Sequence, residues 1–300
     1  PSASKANRLQ KIILFKVGGY ETTMKTVIHI VKPRKWERNY LLEKILEINP
    51  ELVALESKLD FQREITDSDF IVTNALGTAE VCSASNLKGV IVPTSGTENI
   101  DLEALADRKI LVFQDKSIFG EAVVAYISDA LNALAINPTS LKSALFLGFG
   151  NIGQRVYHLF PNANKYVIKR DLQNFDHQTY TAHYLGRLDK IGTIATVDVV
   201  INALPLTSET KGSCYDLSLR AGSTVISVSR AEIIDEYGVL ELAKKGYLRA
   251  AILDVYPKSI NPSNYHQKNI MLTDHSACQT DETLERVAKF VKTTLDAMGR

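Results

Sequence analysis

The sequence predicts an α/β protein made of two domains, each a doubly wound parallel sheet, with the second domain inserted into the first. Three observations lead to this prediction. Short apolar and β-branched runs alternate with helical patterns along both halves of the chain, which is typical of parallel sheets. A glycine-rich turn joins a strand to a helix near the middle of the chain. The length of 300 residues exceeds the usual size of a single core.

The first half of the chain contains five predicted strands. A helical pattern at residues 36–48 follows the first of them and ends at Asn49-Pro50, because proline cannot continue a helix. The predicted strands lie at residues 26–31, 52–55, 69–73, 89–92 and 110–113. We assign residues 1–24 to an N-terminal extension outside the fold, and an additional edge strand at residues 11–16 is the alternative.

The second half begins with a long apolar helix, predicted at residues 121–136 and ended by Asn137-Pro138. Further helices are predicted at residues 216–220, 235–245 and 280–298. The predicted strands lie at residues 144–147, 166–168, 197–202, 223–228, 250–255 and 270–273. We therefore assign residues 25–115 and 276–300 to one domain and residues 116–275 to the inserted domain.

The composition argues against several classes of protein. The formal net charge of +1 gives no general attraction to nucleic acid or to an anionic membrane, and no apolar run is long enough to span a bilayer. The three cysteines are scattered, as expected of reduced thiols in a cytoplasmic protein. The six histidines show no metal-ligand spacing with them. We expect no nucleic-acid partner, no membrane and no metal.

The glycine-rich turn predicts a dinucleotide site of the Rossmann type. Gly148, Gly150 and Gly153 form a Gly-x-Gly-x-x-Gly pattern between a predicted strand and a helical pattern. The first glycine permits the turn, the second lets the backbone approach a pyrophosphate, and the third lets the helix pack closely on the strand. Asp171 follows the next strand and is placed to bind the adenosine ribose. A carboxylate there favours NAD, and the adjacent Arg170 keeps NADP open.

Two polar residues follow strands of the same predicted sheet. Arg230 comes after the strand at 223–228, and His275 comes after the strand at 270–273. Ligands of open α/β sheets bind outside the carboxyl ends of the strands. Arginine holds a carboxylate through its planar fork, and histidine transfers protons near neutral pH. Together with a dinucleotide, this pair predicts hydride transfer to or from a hydroxy or keto acid.

Structural roles are the alternatives for both side chains. Arg230 is close in sequence to Glu232 and Asp235, either of which could pair with it. His275 is close in sequence to Asp274 and Asp281. The sequence alone leaves these alternatives open.

Five motifs follow one another along the second half of the chain. They are Gly148–Gly153, Ala203–Thr210, Ser227–Asp235, Leu253-Asp254-Val255 and Thr273-Asp274-His275. Their order resembles the D-isomer-specific 2-hydroxyacid dehydrogenases. A segment in the first half, Leu87-Lys88-Gly89-Val90 followed by Gly96 and Asn99-Ile100-Asp101-Leu102, is similar to the substrate domain of that family. The resemblance covers residues 25–300.

The resemblance implies roles for individual residues. Arg230 would bind the substrate carboxylate and polarise the C2 carbonyl, and His275 would be the acid in reduction and the base in oxidation. Ser95 and Gly96 would present backbone N–H groups to the substrate, and Leu76 would line its pocket. A homodimer is also implied. The implied cofactor contacts are Gly148, Phe149, Gly150, Asn151, Ile152, Gly153, Arg170, Asp171, Leu204, Pro205, Val228, Ser229 and Asp254.

Several positions depart from the family pattern. Ser259 stands where the family has a glutamate that bonds to the histidine, so the imidazolium of His275 is expected to be less stabilised. Tyr126 replaces a common glutamate on the long helix, Ala231 replaces a glycine, and Ala277-Cys278 replaces a small pair. The prediction is an NAD(P)-dependent D-2-hydroxyacid dehydrogenase. The alternative is a catalytically weak or inactive nucleotide-binding regulatory protein, and formate oxidation is a third possibility.

Overall fold

The computed structural model describes residues 13–17, 20–31, 38–55, 57–169, 179–184, 197–215, 217 and 219–298. The chain forms two compact units, one of Pro1–Ile118 with Thr280–Arg300 and one of Phe119–Gln279. Each unit contains a parallel sheet with helices, so the predicted fold class is confirmed. The roles assigned above to the two domains stay predictions.

The first unit is built on a five-stranded parallel sheet with the strand order β4-β3-β5-β6-β7. All four residues of β3 and of β5 are buried, because helices cover a parallel sheet on both faces. The edge strand β7 is more exposed. The strands are β3 (Thr26–His29), β4 (Val53–Ala54), β5 (Phe70–Thr73), β6 (Gly89–Ile91) and β7 (Leu111–Phe113).

Five α-helices lie within the described residues of the first unit. The terminal helix α8 packs against α1, and Asn49 at the end of α1 donates from Nδ2 to the carbonyls of Ile45 and Ala288. The sequence places these two helices at opposite ends of the chain, so this contact closes the unit. The helices are α1 (Tyr40–Ile48), α2 (Lys58–Glu64), α3 (Thr78–Ser83), α4 (Leu102–Asp107) and α8 (Asp281–Met298).

The segment before β3 forms a separate antiparallel hairpin of β1 (Ile13–Val17) and β2 (Tyr20–Met24). Its two strands pair with each other and form a sheet of their own. The hairpin therefore differs from the edge strand at 11–16 that was the alternative prediction.

The second unit is built on a seven-stranded parallel sheet with the order β10-β9-β8-β11-β12-β13-β14. The chain runs outward from β8 in one direction and then returns to β11 on its other side, so β8 and β11 form the switch point of a doubly wound sheet. The strands are β8 (Ser143–Leu147), β9 (Asn164–Ile168), β10 (His183–Tyr184), β11 (Val199–Asn202), β12 (Thr224–Ser227), β13 (Ala250–Leu253) and β14 (Ile270–Leu272).

The register of this sheet aligns the last residues of its central strands. Leu147 is paired with Asn202, Asn202 with Ser227, and Ser227 with Leu253. Leu253 is in turn paired with Leu272 of β14. The residues that follow these strands therefore emerge along one edge, which we call the carboxyl edge of the second unit.

Helices α5 (Gly120–Ala133), α6 (Asn151–Val156) and α7 (Glu236–Lys244) pack with the sheet of this unit. The described residues 217, 219 and 220 are not helical, so the predicted helix at 216–220 is absent from them. In the described part of the chain, no helix combines the length and the apolar character needed to cross a bilayer.

Candidate active site

The glycine turn after β8 has the geometry that each of its glycines was predicted to provide. Gly148 adopts φ +89°, and a Cβ on it would lie 2.9 Å from the backbone of Ala203. A Cβ on Gly153 would lie 2.3 Å from the carbonyl oxygen of Gly148. A Cβ on Gly150 would meet no atom within 4 Å. Gly148 and Gly153 are therefore required because a side chain there would collide with the backbone, whereas Gly150 faces open space.

The open space at Gly150 fits the pyrophosphate of a dinucleotide. Gly150 is the N-cap of α6, and the first N–H groups of a helix have no partner within the helix. The side chain of Phe149 is buried against Phe146, Tyr157 and Tyr180, so only its backbone is available to a ligand. Residues 149–152 would therefore hold the phosphates mainly through the main chain. Arg170 and Asp171, predicted to bind the ribose, lie outside the described residues.

Side chains at the ends of β11 and β12 connect the loops that follow them. Asn202 is fully buried; its Nδ2 donates to Ser227 Oγ at 3.1 Å, and its Oδ1 accepts from the backbone N–H of Leu204 at 3.3 Å. The hydroxyl of Ser229 donates to the carbonyl of Leu204. The segment of Leu204 and Pro205 is thus held against that of Val228 and Ser229, all four of which were predicted cofactor contacts. Sequence reasoning did not identify Asn202 or Ser227, because both sit within apolar strands.

Arg230 is half-buried directly after β12, and its Nη1 donates to the carbonyl of Ser229 at 3.1 Å. The two carboxylates considered as its partners have other interactions. Glu232 forms an ion pair with Lys211 at 2.9 Å, and Asp235 caps α7 by accepting from the N–H of Gly238 at 2.9 Å. These interactions fix the loop that carries the guanidinium.

The loop after Arg230 contains a strained residue and a buried acid. Glu232 adopts φ +76°, a conformation unfavourable for a residue with a Cβ. Glu236, the first residue of α7, is 1% exposed. Among the described residues, its Oε1 has no hydrogen-bond partner. Burial raises the pKa of Glu236 to about 7, and the nearby Asp235 and Glu232 add to the shift.

His275 lies in a tight turn organised by Asp254. The backbone N–H of His275 donates to the carbonyl of Asp254 at 2.7 Å. Oδ1 of Asp254 accepts from the backbone N–H groups of Ser276 at 2.8 Å and Ala277 at 3.1 Å. It also accepts from the Thr273 hydroxyl at 2.7 Å. Asp254, predicted to contact the cofactor, therefore has Oδ1 engaged by its own turn, which leaves Oδ2 as the oxygen for a ligand.

The pKa of the Cys278 thiol is affected by two charged groups of this edge. Burial and the carboxylate of Asp254 raise the pKa of Cys278 to about 11, and the guanidinium of Arg230 opposes the shift. Arg230 therefore acts electrostatically on a residue in the segment that follows His275. The two side chains emerge from β12 and β14, which flank β13 on both sides.

No carboxylate occupies the position where the family has a glutamate that bonds to the histidine, because Ser259 stands there. Ser259 is exposed in the loop after β13, and Asp274, the carboxylate next to His275 in the sequence, is exposed as well. Cys82, Cys214 and Cys278 carry free thiols. Within the described ranges no cluster of three or more His, Cys, Asp and Glu side chains is arranged to hold a metal ion.

The predicted substrate contacts of the first unit have their own local structure. Leu76 is 1% exposed and belongs to the hydrophobic core of this unit, so its side chain is committed to packing. Ser95 and Gly96 lie half-buried in a loop after β6. Gln114 Nε2 donates to the carbonyls of Thr94 and Ser95 at 2.7 and 3.2 Å. The roles of Leu76, Ser95 and Gly96 toward a substrate stay predictions.

The fold and the carboxyl edge define a dinucleotide-binding α/β protein, and comparison with known proteins gives its family. Residues 125–277 match the model of the D-isomer specific 2-hydroxyacid dehydrogenase, NAD binding domain. This match covers half of the chain, so the chain belongs to the D-isomer specific 2-hydroxyacid dehydrogenases. The predicted resemblance is thereby confirmed.

Similar sequences include two kinds of enzyme. The chain is 24% identical to an erythronate-4-phosphate dehydrogenase of Bacteroides fragilis over 72% of this chain and 65% of the relative. The chain thus spans just under two thirds of the length of that protein. A glyoxylate/hydroxypyruvate reductase B of Salmonella typhi is 22% identical over 93% of each chain.

Two solved structures of similar fold contain nicotinamide cofactors. An NADPH-dependent glyoxylate/hydroxypyruvate reductase of Sinorhizobium meliloti, solved with NADP and malonate, gives a TM-score of 0.71 at 18% identity, covering 91% of this chain and 92% of that one. A D-lactate dehydrogenase of Aquifex aeolicus, solved with NAD and lactic acid, gives 0.68 at 18% identity, covering 91% and 97%. At these identities the likeness shows the fold alone.

The three glycines of the turn should respond differently to alanine. Gly153→Ala places a methyl group on the Gly148 carbonyl and should destabilise the protein by about 1–3 kcal/mol. Gly150→Ala meets no chain atom, so the protein should unfold as the wild type does, but its affinity for NADH should fall about tenfold or more as the methyl group blocks the phosphate. Chemical unfolding and NADH fluorescence titration measure the two effects. Equal destabilisation by both changes, or normal NADH affinity of Gly150→Ala, would contradict this assignment.

The buried acid Glu236 should make stability depend on pH. Its pKa is about 7 in the folded chain and near the ordinary value of 4.5 in the unfolded chain. Between these two values the folded state holds a proton that the unfolded state has lost, so stability should fall as pH rises from 4.5 to 7 and then level off. We expect a loss of about 3 kcal/mol over this range, because each pKa unit corresponds to about 1.4 kcal/mol. Glu236→Gln should remove most of this slope in urea unfolding; an unchanged slope would show that other groups cause it.

Proposed function

We propose that the protein reduces a small 2-oxo acid to the D-2-hydroxy acid, and catalyses the reverse oxidation, with a nicotinamide dinucleotide as the redox partner. The observation that supports this most is the placement of Arg230 and His275 after the two strands that flank β13, on the edge that also carries the glycine turn. The reaction requires a group that binds the substrate carboxylate, a group that transfers a proton and a site for the dinucleotide. Arg230, His275 and the glycine turn are of the chemical types that these three roles require.

Arg230 binds the substrate in this proposal. Its guanidinium is a planar cation with several N–H donors, so it holds a carboxylate and directs a further N–H to the C2 carbonyl oxygen. The interaction with the carbonyl strengthens as negative charge develops on that oxygen. Two hydrogen bonds keep the loop of Arg230 in place for this purpose. Arg230 donates to the carbonyl of Ser229, and the N–H of Gly238 donates to the side chain of Asp235.

His275 supplies the proton. In reduction the C2 carbonyl accepts a hydride at carbon, the C–O π bond breaks, and the imidazolium of His275 gives its proton to the oxygen. In oxidation the neutral imidazole takes the hydroxyl proton as the hydride leaves C2. A bound nicotinamide supplies or accepts the hydride, and residues 149–152, Leu204, Pro205, Val228, Ser229 and Asp254 would hold that cofactor.

The finer points of the proposal follow from the family. Asp171 favours NAD, while NADP stays open because Arg170 is its neighbour. By resemblance to the family, Ser95 and Gly96 are proposed substrate contacts, and Leu76, whose side chain is packed in the core, would take part only through its backbone. We also propose a homodimer in the cytoplasm; the resemblance supports the dimer, and the free thiols are consistent with the compartment.

Substitution of the two proposed catalytic side chains tests this function. With NADH or NADPH and a panel of 2-oxo acids, His275→Gln should lower kcat by ~100-fold or more, because no group replaces the proton donor. Arg230→Lys should lower kcat/KM by ~100-fold, because the planar fork is lost. Initial rates of NADH or NADPH oxidation, measured over a range of substrate concentrations, give kcat and kcat/KM for both variants.

Matched controls are available in the same unit. His266 is exposed, and Arg249 is exposed at the opposite end of β13, so His266→Gln and Arg249→Lys should leave turnover unchanged. Absence of turnover on the whole panel despite cofactor binding would contradict the proposal and favour a nucleotide-binding regulatory protein. Full activity of His275→Gln would exclude the assigned proton donor.

A further inference from the structure

A line of hydrogen bonds runs from helix α5 to the turn that carries His275. Tyr126 lies on α5, and its hydroxyl is 2.6 Å from Oγ1 of Thr273. The same Oγ1 is 2.7 Å from Oδ1 of Asp254. The three side chains come from α5, from the end of β14 and from the end of β13, so the line joins elements that are far apart in sequence.

The carboxylate of Asp254, at one end of this line, determines which group donates each hydrogen bond. The Asp254 oxygen already receives two backbone N–H groups, from Ser276 and Ala277, and therefore acts as an acceptor. Thr273 has a single hydroxyl proton and directs it to Asp254. Tyr126 must then donate to Thr273. Since burial raises the pKa of Tyr126 to about 12, the phenol keeps that proton at any physiological pH.

The turn held by this line is an unfavourable one. His275 adopts φ +55°, which a residue with a Cβ rarely adopts unless its surroundings enforce it. The enforcing bonds are those to Asp254, whose carbonyl accepts the N–H of His275 and whose Oδ1 accepts the next two N–H groups. Any rotation of the Asp254 carboxylate would release two of these three bonds.

We propose that Tyr126 is a positioning residue for His275, acting through Thr273 and Asp254. By donating to Thr273, Tyr126 holds the threonine hydroxyl in the rotamer that points at Asp254, and so fixes the carboxylate that shapes the turn. The partly buried ring of Tyr126 packs against the core of the unit, which gives the line a rigid origin. Ser259 offers no carboxylate to the imidazole, and the bonds of Asp254 position His275 through the backbone of its turn.

The proposal rests on the proposed function for its kinetic test. Tyr126→Phe should lower kcat about tenfold, because a misplaced imidazole transfers its proton poorly. The KM for the reduced cofactor should stay within twofold. Thr273→Val should lower kcat at least as much, and adding Tyr126→Phe to it should have no further effect. Thr273→Ser, which retains the hydroxyl, should retain most of the activity.

Tyr265→Phe is the matched control. Tyr265 is buried in the same unit and its hydroxyl donates to Glu241 at 3.1 Å, but it has no bond to the His275 turn. A general loss of stability would lower the unfolding midpoints of both tyrosine variants, whereas only Tyr126→Phe should lower kcat. Equal kcat values for Tyr126→Phe and the wild type, or additive effects of Tyr126→Phe and Thr273→Val, would overturn the proposal.

Amide hydrogen exchange tests the same proposal without turnover. In the protein without substrate, Tyr126→Phe should speed exchange of the amides of His275, Ser276 and Ala277 by about tenfold, and Tyr265→Phe should not. If the wild type has no dehydrogenase activity, the proposed function fails while this result still decides the role of Tyr126. Unchanged exchange in the turn would show that Asp254 holds its position without the tyrosine.

Discussion

The structure of the second unit depends on one constraint, the in-register pairing of five parallel strands that end together. Leu147, Asn202, Ser227, Leu253 and Leu272 lie in one row. A shift of one residue in any pair would turn the following side chain to the opposite face of the sheet. Because the row holds, the glycine turn, Arg230, Asp254 and His275 all emerge at the same edge. The chemistry proposed here is a consequence of that alignment.

Backbone and side-chain hydrogen bonds hold the loops that follow these five strand ends in place. After each strand end, the next N–H donates to the last residue of a neighbouring strand, as Ala203 does to Leu147, Val228 to Asn202 and Asp254 to Ser227. The carboxylate of Asp254 and the buried side chain of Asn202 continue this bonding beyond the sheet. The left-handed conformation of His275 is held by the bonds to Asp254, and strained residues of this kind are found preferentially at functional sites.

Much of this arrangement was predictable from the sequence because its signals are local. Most of the strands, the long helix and the glycine turn each leave a pattern within about ten residues, and they were predicted to within a few residues of their observed bounds. The two-residue strand β10 (His183–Tyr184) was not predicted. The strand-end rule also placed Arg230 and His275 correctly after β12 and β14. The roles of Asn202, Ser227 and Thr273 could not be predicted, because their side-chain partners are distant in sequence. Asn202 and Ser227, which bond to each other, are 25 residues apart, and Thr273 is 19 residues from Asp254. The hairpin β1-β2 was missed because its pairing depends on register rather than on composition.

Hydrogen exchange of the whole protein with and without NADH tests the central claim most directly. If the cofactor binds at the carboxyl edge, saturating NADH should slow exchange in residues 148–153, 203–206, 228–230 and 273–277 together. Residues 222–223 and 247–249, at the opposite edge of the same sheet, should exchange as before. Protection at the opposite edge, or none at the four strand ends although NADH binds, would contradict the account.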